Sequence, residues 1–298
     1  MGIIILTRLV RRLSVKFAFI ILHYCVMDDT VECVESIRNR IDISQYHIII
    51  VDNYSPDGSG KVLAERYRHS KDITVIHNKE NMGFSRGNNV GIRYARIHDY
   101  DFIVVLNNDT YLIQDDFAAV IQEEYKKSHF AVLGPKVYDP EGYNGTSPLV
   151  EAEYTGLEQR KVIYKMWKRK YWETLIGISY FREKFRSNIK SNDKRQNPLS
   201  EKYIENVPLH GCCLVFSPMF FKYFEGFEEL TFMYGEETIL KMNCDMYSLK
   251  MVYNPKLKIY HKEAVSTKAE KVNYSKIRLH NKRMMMAAKA IYLKAQDY

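Results

Sequence analysis

The stretch from residue 47 to residue 61 reads HIIIVDNYSPDGSGK. Its first five residues form an unbroken apolar run of strand length, and Asp52 follows directly at the end of that run. Continuous runs of β-branched residues are typical of strands buried on both faces, as in parallel sheets. The residues after Asp52 are turn formers. The stretch therefore predicts a buried parallel strand with a polar loop at its carboxyl end.

Similar apolar runs alternate with helical spacing along the first half of the chain. Strands are predicted at 17–24, 47–51, 73–77 and 102–106, and helices at 30–40, 61–67 and 88–97. The second half predicts short strands at 214–217, 251–254 and 258–260, a helix at 237–247 and a last helix at about 273–295. This alternation predicts an α/β fold with a mixed, mainly parallel sheet flanked by helices. Ligands of such sheets bind at the carboxyl ends of the strands.

Composition excludes several classes of protein. The 298 residues are 46% hydrophobic and 27% charged, which are globular values and exclude a disordered or fibrous chain. The five cysteines include no CxxC pair, which argues against a disulfide framework or a zinc knuckle and favours a reducing compartment. No apolar run reaches the roughly 18 to 20 residues that span a bilayer.

Positive charge is concentrated in one segment. The chain carries a net charge of +8, and residues 160–202 hold 13 Lys and Arg against 4 Asp and Glu. These residues belong to a basic, aromatic insertion at 142–206 that interrupts the α/β pattern. A solvated helical face and a surface on anionic lipid both fit this composition. Nucleic-acid binding is disfavoured, because no recognised nucleic-acid motif accompanies the insertion.

Two polar stretches in the first half are candidates for ligand binding. LNNDT at 106–110 places Asp109 after a strand, backed by Asn107 and Asn108, where it suits a hard divalent cation or a simple turn. ENMGFSRGNN at 80–89 places two glycines around Arg86, just before a predicted helix. Such a loop permits close approach to a diphosphate, although glycine-rich turns also commonly precede helices.

Acidic residues and a histidine mark the second half. Glu236 and Glu237 stand at the start of a predicted helix, where carboxylates stabilise the helix dipole or serve as a general base. His261 follows the strand KIY and is either a polar residue at a strand end or a second metal ligand. Asp52, taken alone, is equally a turn former and an acceptor for a nucleobase N–H.

Five of these motifs together carry a family resemblance. In the order VDNYSPDGS, ENMGFSRGNNVGI, LNNDT, GFEELTFMYGEE and IYH, the chain resembles the inverting family 2 glycosyltransferases of the GT-A fold. It is most similar to the rhamnosyltransferase-like branch that builds bacterial capsule or O-antigen polysaccharide. The resemblance covers about 16–269 apart from the insertion. It implies a Rossmann-like GT-A sheet, with a basic aromatic helical insertion and a C-terminal helix added to it.

The resemblance also assigns roles to residues of this chain. Asp52 would bind the base of the nucleotide. The other residues expected to bind the nucleotide-sugar are Ser55, Asp57, Gly83, Arg86, Gly87, Asn107 and Asn108. Asp109 and His261 would hold Mn²⁺ or Mg²⁺. Glu237 stands where relatives have the catalytic Asp; we expect it to be the base, and Glu236 remains the alternative.

The implied activity is direct displacement with inversion. A hexosyl or rhamnosyl group would pass from a UDP- or dTDP-sugar to a hydroxyl of a growing, lipid-linked bacterial surface polysaccharide. The protein would be cytoplasmic and peripheral on the inner face of the cytoplasmic membrane, with no nucleic-acid partner. The alternative is a non-catalytic sugar-nucleotide-binding partner of another glycosyltransferase, which the change from Asp to Glu237 favours.

These expectations divide the chain into five parts. They are a basic leader at 1–15, a nucleotide-sugar-binding half at 16–141, the insertion at 142–206, an acceptor-binding and catalytic-base half at 207–270, and a C-terminal helix at 271–298. The leader reads as a short amphipathic or disordered segment, with a membrane-surface helix as the alternative.

Overall fold

A computed structural model describes residues 15–142, 147–149, 156–178, 197–262 and 274–296. The predicted leader lies outside these residues except for Val15, and so does much of the predicted insertion. No helix among the described residues is both long and apolar enough to cross a bilayer.

The centre of the molecule is a nine-stranded mixed sheet. Its strands are β1 Phe17–His23, β2 Tyr46–Asp52, β3 Ile73–His77, β4 Phe102–Asn107, β5 Thr110–Leu112, β6 Val132–Tyr138, β7 Ile204–Glu205, β8 Cys213–Phe216 and β9 Met251–His261. They lie in the order β3-β2-β1-β4-β8-β6-β9-β5, and β7 pairs with β9. The first four strands of this order are mutually parallel, and β6 is parallel to β9. The predicted mainly parallel sheet is therefore confirmed.

Seven helices are described around this sheet. They are α1 Met27–Arg38, α2 Ser59–Arg66, α3 Gly83–Ile97, α4 Phe117–Ser128, α5 Leu157–Leu175, α6 Glu236–Met246 and α7 Tyr274–Lys294. Alternate residues of β1 point to opposite faces of the sheet. Phe19 packs in the core layer that contains Phe117 of α4, whereas Ile20 packs in the layer that contains Ile92 of α3. The continuous apolar runs are explained by this burial on both faces.

Two sequence-based boundaries were wrong. The predicted strands at 251–254 and 258–260 are one strand, β9, because the chain continues past Pro255 through a register shift opposite Pro135 and Lys136. The predicted helix at 88–97 begins earlier, at Gly83. Gly83, Arg86 and Gly87 therefore lie in the first turns of α3 and not in a loop before it.

Helix α5 of the insertion packs against the C-terminal helix α7. Their contact is held by buried polar groups: Asn281 Nδ2 donates to Thr174 Oγ1 at 2.7 Å, and the Tyr274 hydroxyl donates to the Thr174 carbonyl at 2.7 Å. The rings of Tyr164 and Tyr292 stack with centroids 6.0 Å apart. The two helices form a layer, called here the α5–α7 layer, that contacts the start of α6 through Ile291.

Candidate functional site

Asp52 is a buried carboxylate at the carboxyl end of β2. It is 6% exposed, accepts a hydrogen bond from the Ser55 N–H at 3.0 Å, and lies 3.0 Å from His77 Nδ1. Burial alone would raise the pKa of Asp52, but the hydrogen bonds from Ser55 and His77 hold it below the usual value. A Cβ on Gly60 would lie 2.0 Å from Asp52 Oδ2, so glycine is required there. The result is an ionised acceptor at the edge of the sheet.

The loop after Asp52 is fixed by its own side chains. The Ser55 hydroxyl accepts from the Cys25 N–H at 3.0 Å, which ties the loops after β1 and β2 together. Asp57 accepts from the Ser59 N–H at 3.1 Å, at the first residue of α2. The Ser59 hydroxyl in turn lies 2.8 Å from His23 Nε2. Both predicted loop residues therefore lie beside Asp52, with their oxygens engaged in shaping the loop.

The glycines of α3 have a packing role that the sequence analysis did not foresee. Gly83 has a φ of +76°, and a Cβ there would lie 2.0 Å from the Phe232 carbonyl, which accepts from the Phe84 N–H at 2.9 Å. A Cβ on Gly87 would lie 2.7 Å from Leu22 Cδ1. Arg86 Nε lies 3.4 Å from a carboxylate oxygen of Glu229. The contacts of this predicted diphosphate loop are therefore with β1 and with the segment before α6.

The three residues after the apolar part of β4 face different neighbours. The Asn107 N–H donates to the Cys212 carbonyl at 2.9 Å, and Asn107 lines the cleft described below. Asn108 Nδ2 donates to Thr30 Oγ1 at 3.2 Å and so points to the start of α1. Asp109 Oδ1 lies 3.1 Å from His261 Nε2. The pairing of β5 with β9, which sets Thr110 opposite His261, brings this predicted pair together.

His210 is a residue that the sequence analysis missed. Its ring centroid lies 5.7 Å from that of His261, and its Nδ1 accepts from the Cys212 N–H at 3.2 Å. Burial lowers the pKa of His210 to about 4, so its imidazole is neutral at physiological pH. The signal in the sequence was a histidine beside a glycine directly before the apolar strand β8.

Asp109 and His261 present the donors that a divalent cation needs. One carboxylate oxygen and one imidazole nitrogen converge at 3.1 Å. The other ring nitrogen of His261, Nδ1, is buried and has no hydrogen-bond partner among the described residues. Those residues contain no group of three or more His, Cys, Asp or Glu that would hold a metal alone. The pair fits a Mg²⁺- or Mn²⁺-type site whose remaining ligands are water and substrate phosphate.

A cleft of about 440 Å³ opens between β4, β8 and the start of α6. It is lined by Phe84, Asn107, His210, Gly211, Cys212, Met233, Tyr234, Gly235, Glu236, Glu237 and Met284. The cleft therefore joins the carboxyl end of β4 to both of the predicted candidate bases.

The two glutamates at the start of α6 sit in different surroundings. Glu236 is 6% exposed, accepts from the Thr231 hydroxyl at 3.3 Å, and has its pKa raised to about 7 by burial. Burial also raises the pKa of Glu237. The carboxylate of Glu237 lies against Gly211, where a Cβ would come within 2.6 Å of Oε1. Both groups are therefore carboxylates that bind a proton more readily than an ordinary glutamate.

Comparison with known sequences identifies a family and two kinds of relative. The model of "Glycosyl transferase family 2" matches residues 19–191. The "N-acetylglucosaminyl-diphospho-decaprenol L-rhamnosyltransferase" of Mycobacterium tuberculosis is 23% identical over 232 residues, which cover 74% of this chain and 67% of that protein. The "Uncharacterized glycosyltransferase EpsJ" of Bacillus subtilis is 30% identical over 107 residues, which cover 36% of this chain and 29% of that protein.

Comparison with solved structures identifies the fold. S. aureus TarS 1-349 in complex with UDP-GlcNAc is 15% identical with a TM-score of 0.53, covering 91% of this chain and 70% of that one. The mannosyltransferase PcManGT from Pyrobaculum calidifontis, in complex with GDP-Man and Mn²⁺, is 12% identical with a TM-score of 0.55, covering 95% of this chain and 76% of that one. The likeness shows a GT-A fold, as the sequence resemblance implied.

Proposed function

Because the chain belongs to glycosyl transferase family 2, we propose that it is an inverting transferase acting on a nucleotide-diphosphate sugar. The observation that carries this proposal is the cleft in which Glu237 faces the same space as Asn107, at the carboxyl end of β4. Substrates of open α/β sheets bind at that edge. A carboxylate of raised pKa in such a place is suited to general-base work.

The donor is assigned to the edge formed by β2 and β4. Asp52, buried and ionised, is suited to accept a hydrogen bond from a nucleobase N–H. Ser55 and Asp57 shape the loop beside it, and Asn107 would contact the sugar or the diphosphate in the cleft. Binding of UDP-GlcNAc and GDP-Man by proteins of this fold supports a nucleotide-sugar donor.

Asp109 and His261 are assigned to a divalent metal, Mn²⁺ or Mg²⁺. Their donor atoms are 3.1 Å apart and include one hard carboxylate oxygen. When bound, such a cation neutralises negative charge on a leaving diphosphate. His210, neutral and within ring contact of His261, would keep that imidazole in position.

Glu237 is assigned as the base. It would accept the proton of an acceptor hydroxyl while that oxygen attacks the anomeric carbon from the face opposite the nucleotide. The bond from the anomeric carbon to the diphosphate oxygen breaks, and the configuration inverts. Glu236 is the alternative base, but its hydrogen bond with Thr231 gives it a partner inside the protein.

The acceptor is proposed to be a lipid-linked glycan of a bacterial surface polysaccharide. The name of the Mycobacterium tuberculosis relative, which acts on a diphospho-decaprenol glycan, supports this class. The α5–α7 layer supports peripheral contact with the cytoplasmic face of a membrane, because seven exposed Lys and Arg lie on its two helices. Anionic lipid attracts such surfaces.

A donor panel tests the proposal. Thermal shift and nucleotide release are measured with UDP-glucose, UDP-galactose, their N-acetyl forms and dTDP-rhamnose, with Mn²⁺ and with chelator. We expect one donor to stabilise the protein and to be turned over in a metal-dependent way. Asp109→Asn should abolish the metal dependence, whereas Asp115→Asn, which changes an exposed carboxylate after β5, should not.

Two results of the panel would contradict the proposal. Binding of a donor without turnover, even with lipid-linked acceptors supplied, would favour the non-catalytic partner. If no donor bound, the assignment of a nucleotide-sugar site to this protein would be contradicted.

A further inference from the structure

A second cavity, of about 370 Å³, lies between the α5–α7 layer and the start of α6. Its lining is mostly apolar and comes from all three helices and the loop before α6. The lining residues are Arg160, Ile163, Met166, Trp167, Tyr234, Gly235, Glu237, Thr238, Met284, Ala287, Ala288 and Ile291. We call it the helix cavity.

The helix cavity adjoins the catalytic cleft at the proposed base. Four residues line both spaces, namely Tyr234, Gly235, Glu237 and Met284. A molecule that presents a hydroxyl to Glu237 from the side of α5 and α7 would therefore have its remaining part in the helix cavity. The donor is assigned to the edge formed by β2 and β4, and no residue of either strand lines the helix cavity, so we assign this cavity to the acceptor.

Arg160 is a buried cation in this cavity, and no carboxylate of the described residues forms an ion pair with it. It is 9% exposed, and its Nε has no hydrogen-bond partner among the described residues. Its Nη1 donates to the sulfur of Met242 at 2.6 Å, and sulfur is a weak acceptor. The two carboxylates of α5 lie near other cations: Glu158 pairs with Lys161, and Glu173 pairs with Arg169.

An unpaired buried guanidinium is costly, because taking a charge out of water is repaid only by a close counter-ion and by hydrogen bonds. Its planar fork is suited to a phosphate or carboxylate. The rest of the cavity wall, with Met166, Trp167 and Ile291, is suited to an apolar chain. The cavity thus combines one buried anion-binding group with an apolar surface, next to the proposed base.

We infer that the helix cavity binds the phosphate-bearing part of a lipid-linked acceptor. Arg160 pairs with a phosphate oxygen, the apolar wall receives the adjoining lipid chain, and the acceptor sugar reaches Glu237. This inference rests on the proposed function and adds to it the place where the phosphate and the lipid chain of the acceptor bind.

Tryptophan fluorescence tests the inference without a known acceptor. The chain has two tryptophans, and Trp172 is 59% exposed, so Trp172→Phe leaves Trp167 as a reporter inside the cavity. Farnesyl phosphate is the probe, with farnesol and inorganic phosphate as its two parts. We expect farnesyl phosphate to change the Trp167 emission and to bind at least about tenfold more tightly than either part.

The variants compare a buried and an exposed cation of the same helix. Arg160→Met should weaken farnesyl phosphate binding about tenfold or more and raise Tm, because it removes an unpaired buried charge. Lys165→Gln, which removes an exposed charge of α5, should change binding less than about twofold. Ala288→Phe, which fills the cavity and keeps Arg160, should abolish binding and so covers the case in which Arg160→Met does not fold.

Several results would overturn the inference. They are equal binding by Arg160→Met and the parent protein, farnesol binding as tightly as farnesyl phosphate, inorganic phosphate binding as tightly, or no change in Trp167 emission. Donor binding is measured in parallel. Donor turnover without farnesyl phosphate binding would contradict only this inference. Farnesyl phosphate binding without donor turnover would contradict only the proposed function.

Discussion

At the scale of single residues, burial separates Glu236 and Glu237 from ordinary helix-start glutamates. Their position at the start of a helix would be explained by the helix dipole alone, because carboxylates are favourable there. The structure adds that both carboxylates have a raised pKa and that both line the cleft. Sequence identified these two residues, but their surroundings depend on Gly211 and the α5–α7 layer, which are distant in sequence. The catalytic role of Glu237 stays a proposal.

Glu236 makes folding stability depend on pH. Its folded pKa of about 7 exceeds the ordinary value of 4.5, so its favourable contribution is complete below pH 4.5 and is lost as pH rises through about 7. We expect Glu236→Gln, which does not titrate, to gain stability over the wild type by up to about 3 kcal/mol between these limits. Urea unfolding at acidic and at mildly alkaline pH measures this difference.

The exposed Glu225→Gln is the control for that experiment, because the side chain of Glu225 is 90% exposed. Its unfolding free energy should follow that of the wild type at both pH values. A Glu236→Gln protein whose advantage does not grow with pH would show that Glu236 titrates as an ordinary glutamate.

The pairing of Asp109 with His261 was predicted from the family resemblance. Asp109 and His261 are far apart in sequence, and no periodicity links them; the resemblance paired them, and the structure brings them within 3.1 Å. His210, their neighbour, carried no motif and was missed. Its position follows from the turn into β8, which local sequence does not determine.

At the scale of elements, helix α3 shows why local propensity failed to predict where a helix begins. Gly83 and Gly87 predict a loop, because glycine is a poor helix former. The structure uses them for close packing: Gly83 lies under the Phe232 carbonyl, and Gly87 and Gly91 let the helix approach β1. Long-range contacts thus overrode the local preference. Strand β6 was missed for a related reason, since Gly134 and Pro135 within it are turn formers.

A single methyl group tests this packing of α3 on β1. A Cβ on Gly91 would lie 2.6 Å from Ile20 Cγ2, in a core where both residues are buried. We expect Gly91→Ala to lower the free energy of unfolding by about 1 to 2 kcal/mol, since overpacking outweighs the better helix propensity of alanine. Thermal and urea unfolding measure the change.

Two further variants calibrate that result. Gly87→Ala should cost less than Gly91→Ala, because its closest neighbour is the end of the flexible Leu22 side chain. The exposed Arg93→Ala on the same helix should stay within about 0.5 kcal/mol of the wild type. A Gly91→Ala protein as stable as the wild type would refute the close approach of α3 to β1.

At the scale of the whole molecule, the α/β core and the α5–α7 layer differ in character. Alternating apolar runs sufficed to predict the parallel core, because its strands are buried on both faces. The composition of the insertion predicted a helix but not its partner, and the pairing of α5 with α7 depends on Thr174 and Asn281, more than a hundred residues apart. Seven exposed Lys and Arg lie on the two helices of the layer.

This charge distribution predicts binding to anionic vesicles. Removing three exposed charges of the layer, with Lys165→Gln, Lys168→Gln and Lys282→Gln, should weaken partition about 100-fold, since each surface lysine contributes about 1 kcal/mol. Flotation with phosphatidylglycerol vesicles at low and high salt measures it. The matched triple Lys61→Gln, Lys71→Gln and Lys126→Gln, away from the layer, should bind as the wild type does. Equal binding by both triples would contradict a lipid-facing role for α5 and α7.

The most direct test of the proposed mechanism is single-turnover sugar transfer by the wild type, Glu237→Gln and Glu236→Gln with the donor found in the panel. We expect Glu237→Gln to transfer sugar about 100- to 10,000-fold more slowly than the wild type, with unchanged donor affinity, and Glu236→Gln to lose far less of its transfer rate. Transfer by Glu237→Gln at nearly the wild-type rate, or a large loss confined to Glu236→Gln, would contradict the assignment of Glu237 as the base.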